Sequence, residues 1–149
     1  MIEADLRDVE KVLEHAATSR LLDLTRPVGV VAGSVLHCLP GTEDLAAALA
    51  AYHERLAPDS MLAASHADGA ALGPELAAAV EDCLAEARIT FVHRTARRFA
   101  DLLGPCQPHP DGVVPIGCWR PNGLTLIRPE YSFGHAVLAE GLPGIAEQA

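Results

Sequence analysis

The feature that most restricts the fold of this chain is a pair of short apolar runs separated by a helical pattern. Residues 28–36, Val28-Gly29-Val30-Val31-Ala32-Gly33-Ser34-Val35-Leu36, are apolar, rich in β-branched side chains and without polar alternation. That is the pattern of a strand covered on both faces. The run stops at His37-Cys38-Leu39-Pro40-Gly41. From Thr42, placed to cap a helix, Leu45, Leu49, Tyr52 and Leu56 recur every three or four positions until Pro58 and Asp59. Residues 60–65 read as a second buried strand, and Pro74 opens a further helix with Leu76, Val80, Leu84 and Ala87 on one face. Strand, helix, strand, helix implies right-handed crossovers and a parallel sheet with helices on both faces.

The flanking segments extend this α/β pattern. Residues 2–4 suit a short strand, and residues 8–22 carry Val9, Val12, Leu13 and Ala16 at helical spacing. Thr95 caps a short helix with Phe99, Leu102 and Leu103 on one face, stopped by Gly104-Pro105. Residues 113–116 and 135–138 are the best strand candidates after that, and their spacing suits an antiparallel pair at one sheet edge. No repeat or long linker divides the 149 residues, which read as one domain.

Charge and cysteine usage exclude several function classes. Twenty acidic against 11 basic residues leave a formal charge of −9, which repels a phosphate backbone. The densest basic stretch, Arg94, Arg97 and Arg98, reads as a solvated helix face, so nucleic acid is not an expected partner. Cys38, Cys83, Cys106 and Cys118 form no C-x-x-C pair and have no histidine at zinc-ligand spacing. Reduced thiols, no metal site and a cytoplasmic location are expected. The start Met-Ile-Glu-Ala-Asp shows no signal-peptide pattern, and no apolar run approaches the roughly 20 residues of a membrane span.

A family resemblance rests on several strings in fixed order: Glu3-Ala4-Asp5-Leu6-Arg7-Asp8; Leu21-Leu22-Asp23-Leu24-Thr25-Arg26-Pro27-Val28-Gly29-Val30; Val35-Leu36-His37; Leu56-Ala57-Pro58-Asp59-Ser60-Met61-Leu62; Ser65-His66-Ala67; and Trp119-Arg120-Pro121. Together they resemble an actinobacterial group of S-adenosylmethionine-dependent methyltransferase-like proteins without an assigned substrate. The resemblance covers about residues 2–120 and weakens beyond Pro121. It implies an incomplete Rossmann-like sheet, mostly parallel with an antiparallel C-terminal edge, and S-adenosylmethionine as cofactor. The chain departs from the pattern at its front. The Gly-rich turn and the ribose-gripping acid that such proteins carry on their first two strands are missing, so the chain reads as a truncated, catalytic-side part of the domain. Without the first strand, residues 28–36 become an uncovered edge. A second copy or another partner is expected to cover it.

The same layout singles out site candidates. Asp5, with Leu6 beside it, stands where the resembling proteins use a carboxylate to accept a hydrogen bond from the adenine amine; the alternative is a solvated loop acid. Ser34, Val35 and Leu36 would line the floor below the sulfonium. His37 ends the first apolar run, where ligand-facing groups of open α/β sheets collect, and its imidazole could orient or deprotonate a small-molecule acceptor. His66 occupies the equivalent tip of the next strand. The alternative for each is a histidine hydrogen-bonded into its loop. Trp119 could pack on a substrate or on the sheet edge. Three functions follow: a methyltransferase of small molecules, a non-catalytic remnant that uses its uncovered strand for dimerisation or partner binding, or a cofactor-free enzyme reusing the pocket.

Overall fold

The computed structural model describes residues 3–18, 20–69, 72–119 and 132–141. In it β1 (Gly29–Ala32) pairs in parallel with β2 (Met61–Ala67), with Val30 beside Leu62 and Ala32 beside Ala64. Two short strands, β3 (Gln107–Pro108) and β4 (Val114–Pro115), both pair antiparallel with β5 (Gly134–Glu140). The other side of β5 is antiparallel to β2, with Leu62 opposite Ala139 and His66 opposite His135. β1, β2, β3 and β4 therefore share one direction and β5 alone runs against them, which is the expected mostly parallel α/β sheet with its antiparallel strand near the C-terminal edge. The expected pairing of 113–116 with 135–138 is present as Val114 beside Ala136 and Pro115 beside His135.

Four helices are described: α1 (Val9–Thr18), α2 (Thr42–Arg55), α3 (Pro74–Glu86) and α4 (Ala96–Asp101). α2 organises the core because its apolar positions fall on two adjoining stripes. Leu45 and Leu49 face the sheet, packing with Ala32, Leu36, Leu62, Ala64, Phe99, Leu102 and Val137. Ala48 and Tyr52 face α1 through Val9 and Leu13. The helix starts at Gly41, whose φ of +78° suits glycine, and Glu43 and Asp44 in its first turn oppose His53 and Arg55 in its last, the sense the helix dipole favours. Thr95 caps α4 as expected, accepting the Arg98 amide at 3.3 Å.

Several expectations are corrected. Residues 28–36 do not form one long strand: pairing ends at Ala32, Ser34 turns the chain at φ +53°, and Leu36–Cys38 forms a single 3-10 turn. Nor is β1 covered on both faces, since Val30 and Ala32 face the core while Val31 is 78% exposed. Thr42 caps nothing; its hydroxyl accepts from Arg94 instead. α1 stops at Thr18, short of Leu22, and residues 3–5 are not a strand, while Ile2 lies outside the described residues. α3 buries no side chain, and Leu76 on its expected apolar face is 55% exposed. Helical cover of both sheet faces is thus not found among the described residues. The close-packed layer lies on the α2 and α4 side, and among the described residues β1 pairs only with β2 and forms a sheet edge.

Candidate functional site

The carboxyl ends of β1 and β2 point the same way, and the loops leaving them meet. After Ser34, whose amide donates to Ser65 Oγ at 2.8 Å, the chain from Val35 to Gly41 is held from three directions. Arg94 donates from Nη1 to the Leu36 carbonyl (3.1 Å), from Nη2 to the Leu39 carbonyl (2.9 Å) and from Nε to Thr42 Oγ1 (3.3 Å). The Val92 amide donates to the His37 carbonyl at 2.8 Å. Arg7 Nη1 reaches the Pro40 carbonyl at 3.4 Å. A planar guanidinium can hold diverging acceptors at once, and Arg94 uses that geometry to fix a segment whose own backbone bonds amount to a single 3-10 turn.

His37 and His66, expected at the two strand tips, are indeed brought together, with ring centroids 5.7 Å apart in an edge-on arrangement. Their environments differ. His66 is 1% exposed; its Nδ1 lies 2.6 Å from the Ala67 carbonyl and its Nε2 3.1 Å from Arg94 Nη1. The carbonyl can only accept and the guanidinium can only donate, so the proton sits on Nδ1 and both nitrogens are occupied. Burial, together with the nearby Arg94 and His37, lowers its pKa to about 4. His66 is therefore a neutral, satisfied element of the framework and not a group within reach of an acceptor. His37 is half-buried. Its Nδ1 accepts the Ala67 amide at 3.2 Å, which puts the proton on Nε2, and burial with the Arg94 charge lowers its pKa. In this tautomer His37 presents an Nε2–H donor. That suits orienting an acceptor atom better than removing its proton.

Aromatic rings surround the pair. Phe91 lies 5.1 Å from His37, His93 lies 4.7 Å from Phe91, and Phe99 closes the buried side 5.4 Å from His66. Asp68, 8% exposed, follows β2 and faces His135 on β5, its Oδ2 3.8 Å from the ring Nδ1.

The cofactor-side candidates also converge on this end. Leu6 packs against both core clusters, and its carbonyl accepts the Tyr52 hydroxyl at 3.0 Å, which anchors the segment carrying Asp5 to α2. Asp5 is exposed and bonded by Arg7: Nη2 at 2.7 Å, Nε at 3.0 Å and the backbone amide at 2.9 Å. Those bonds hold its pKa down to about 2, so it stays a charged acceptor. Ser34 is exposed and Val35 half-buried. Leu36 is a wholly buried core side chain, leaving only backbone near the surface.

Arg94, Asp68 and His135 were not legible as site residues. For Arg94 a signal existed: Thr95 as cap puts it outside the helix, so it cannot share a helix face with Arg97 and Arg98, and it is 4% exposed where those two are exposed. Trp119 is half-buried, edge-on to His109 at 6.2 Å. The four cysteines are free thiols, with Cys106 buried. Among the described residues no cluster of three His, Cys, Asp or Glu side chains is arranged to hold a metal, and no helix is long and apolar enough to cross a membrane.

A sequence model of S-adenosyl methyltransferases matches residues 1–140. The chain belongs to that family. Among solved structures it is similar to a DUF574 family protein from Streptomyces avermitilis, with TM-score 0.83 and 24% identity over 95% of this chain and 54% of the other. It is also similar to a candidate methyltransferase from Thermobifida fusca, with TM-score 0.75 and 24% identity over 94% of this chain and 53% of the other. These likenesses establish the shared methyltransferase-type fold, and the actinobacterial resemblance agrees with both organisms. The chain spans about half the length of each of these structures. No curated protein matches its sequence. In this member of the S-adenosyl methyltransferase family, His37 and His66 stand 5.7 Å apart beside the carboxyl ends of β1 and β2.

Proposed function

We propose that this chain forms the acceptor-side part of an S-adenosylmethionine-dependent methyltransferase that acts on a small molecule, the rest of the cofactor site coming from sequence beyond these residues or from a partner against β1. The observation that carries this reading is the immobilised turn after β1. Arg94, Val92 and Arg7 fix its carbonyls, and His37 is set there in one tautomer with a single donor at Nε2. Methyl transfer asks a protein chiefly for alignment of nucleophile and methyl group, and a rigid donor at a strand tip supplies that.

The residues present suit the adenine side of the cofactor. Asp5 is exposed, ionised and able to accept from an exocyclic amine, while Ser34 and Val35 leave the chain surface between it and His37. When bound, the cofactor supplies an electrophilic methyl group. In this reading His37 orients the acceptor, Phe91 and His93 bound it laterally, and His66 and Arg94 keep the turn in place. The free thiols fit a reducing, cytoplasmic setting. A cofactor-free enzyme reusing the same pocket would keep His37 and the aromatic rings but show no affinity for the cofactor.

A second reading is favoured by one observation. β1 is an edge strand with Val31 78% exposed, so a second copy or another chain could pair there and the protein could act as a binding module without chemistry. Calorimetric titration of the chain with S-adenosylhomocysteine, with its mass recorded by light scattering, separates the two. Saturable binding weakened by Asp5→Ala supports the methyltransferase reading. A folded, self-associated chain with no affinity supports the module.

A further inference from the structure

A cavity of about 490 Å³ lies at the opposite end of the sheet from the strand tips described above. α2 parts from the sheet there, beside the amino ends of β1 and β2 and the final residues of β5. Its walls are apolar: Val30, Leu49, Leu56, Met61, Leu62 and Ala139. A volume of this size lies within the range of small-molecule sites.

The polar groups on its walls are mostly engaged elsewhere. Ser60 Oγ donates to the Ala57 carbonyl at 2.6 Å and accepts the Val28 amide at 3.0 Å, so it is satisfied within its own turn. The Tyr52 hydroxyl donates to the Leu6 carbonyl. Burial raises the Cys106 thiol above its ordinary pKa and keeps it neutral. His53, half-buried, and the exposed Glu54 are the other titratable groups on the wall. A half-open apolar cavity with a half-buried imidazole and the exposed Glu54 on its wall suits an uncharged, mainly apolar molecule with a single hydroxyl-type polar end, and disfavours an anion or a multiply polar one, whose groups would lose water without replacement.

We propose that this cavity is a second ligand site, distinct from the strand-tip site, for a small aromatic or aliphatic alcohol. Occupancy is coupled to the Asp5 segment through Tyr52. Tyr52 forms part of the cavity wall, and the same side chain is the hydrogen-bonded anchor of Leu6, next to Asp5 and Arg7. A ligand that presses on or orders Tyr52 therefore has a direct contact through which to bias that segment, and the coupling must run in both directions. Occupancy of this cavity requires neither cofactor binding nor catalysis.

The test is an NMR titration of the chain with 2-naphthol, an apolar probe with one hydroxyl. Saturable shifts are expected in the methyl groups of Val30, Leu49 and Leu56, with a smaller concerted shift in the Arg7 amide. Ala57→Phe, which puts a ring into the cavity, should weaken binding at least tenfold. Should that variant fail to fold, Ala57→Leu is expected to weaken it at least threefold. Tyr52→Phe should keep the methyl shifts and lose the Arg7 response. Three results would each overturn the site: no saturation, equal affinity in the folded filling variant, or shifts centred on the exposed Val31 face. Retention of the Arg7 response in Tyr52→Phe would overturn the coupling.

Discussion

Replacing Arg94 by methionine tests whether one buried cation holds the turn at the end of β1. Arg94 is 4% exposed, and its donors go to the Leu36 and Leu39 carbonyls, Thr42 Oγ1 and His66 Nε2. Methionine keeps most of the side-chain volume and removes every donor. The Leu39 carbonyl and the imidazole nitrogen then lose this donor in a site with little water, at about 1–3 kcal/mol each, while the Leu36 carbonyl keeps the Leu39 amide at 3.3 Å and loses less. Against this stands relief from burying a guanidinium, an effective penalty of several kcal/mol, felt in the structure as a lowered Arg94 pKa caused by desolvation. The expected net loss is about 3 kcal/mol, or roughly 6–12 °C in melting temperature for a chain of this size. Urea denaturation should show it as a lower midpoint at unchanged slope. Arg94→Lys, one ammonium that cannot span diverging carbonyls, should recover less than half. A methionine variant within about 0.5 kcal/mol of the parent would refute the argument and mean that water replaces the guanidinium or that the turn is held by Val92 and Arg7 alone.

Other predictions concern pH, the sheet edge and backbone approach. The folded pKa of His66, about 4, lies below its ordinary 6.5, so the unfolded chain binds the proton more readily between those values. Its contribution is therefore complete above about pH 6.5 and lost as pH falls toward 4, amounting to about 3 kcal/mol. Urea midpoints across that window should fall less steeply in His66→Gln, and parallel slopes would count against a buried neutral His66. Val31→Lys, at a 78% exposed position on the unpaired edge, should reduce any self-association in sedimentation equilibrium while shifting stability by less than about 0.5 kcal/mol. Unchanged association would place the contact elsewhere. Gly134→Ala puts a Cβ 2.7 Å from Ile116 Cδ1 and 3.0 Å from the His66 carbonyl. Ile116 can swing aside, but the carbonyl belongs to β2, so a loss of about 1–2 kcal/mol is expected. Gly29→Ala, with nothing within 4 Å, serves as the neutral control in the same thermal melts.

The element order was legible because it rests on local rules. β-branched apolar runs, Thr95 as a cap, Pro74 in a first turn and Leu45, Leu49 and Tyr52 at helical spacing each specify an element without reference to distant residues, and their alternation specifies the α/β class. The expectation that His37 and His66 come near one another followed from the same order, although His37 lies in the 3-10 turn beyond β1 and His66 inside β2, not at strand tips. The tertiary structure alone decided what those residues are able to do. Residues 28–36 carry one largely apolar pattern interrupted at Ser34, yet only four of them pair in the ladder, because Ser34 turns the chain and Arg94, nearly 60 positions away, fixes the turn. Two histidines alike in the sequence became a buried, fully bonded ring and a half-buried donor, since the partners that assign their protons are the Ala67 amide and carbonyl and the Arg94 guanidinium. Composition records that arginines are present. Only packing determines which of them is taken out of water, and a buried cation must then organise every acceptor within its reach.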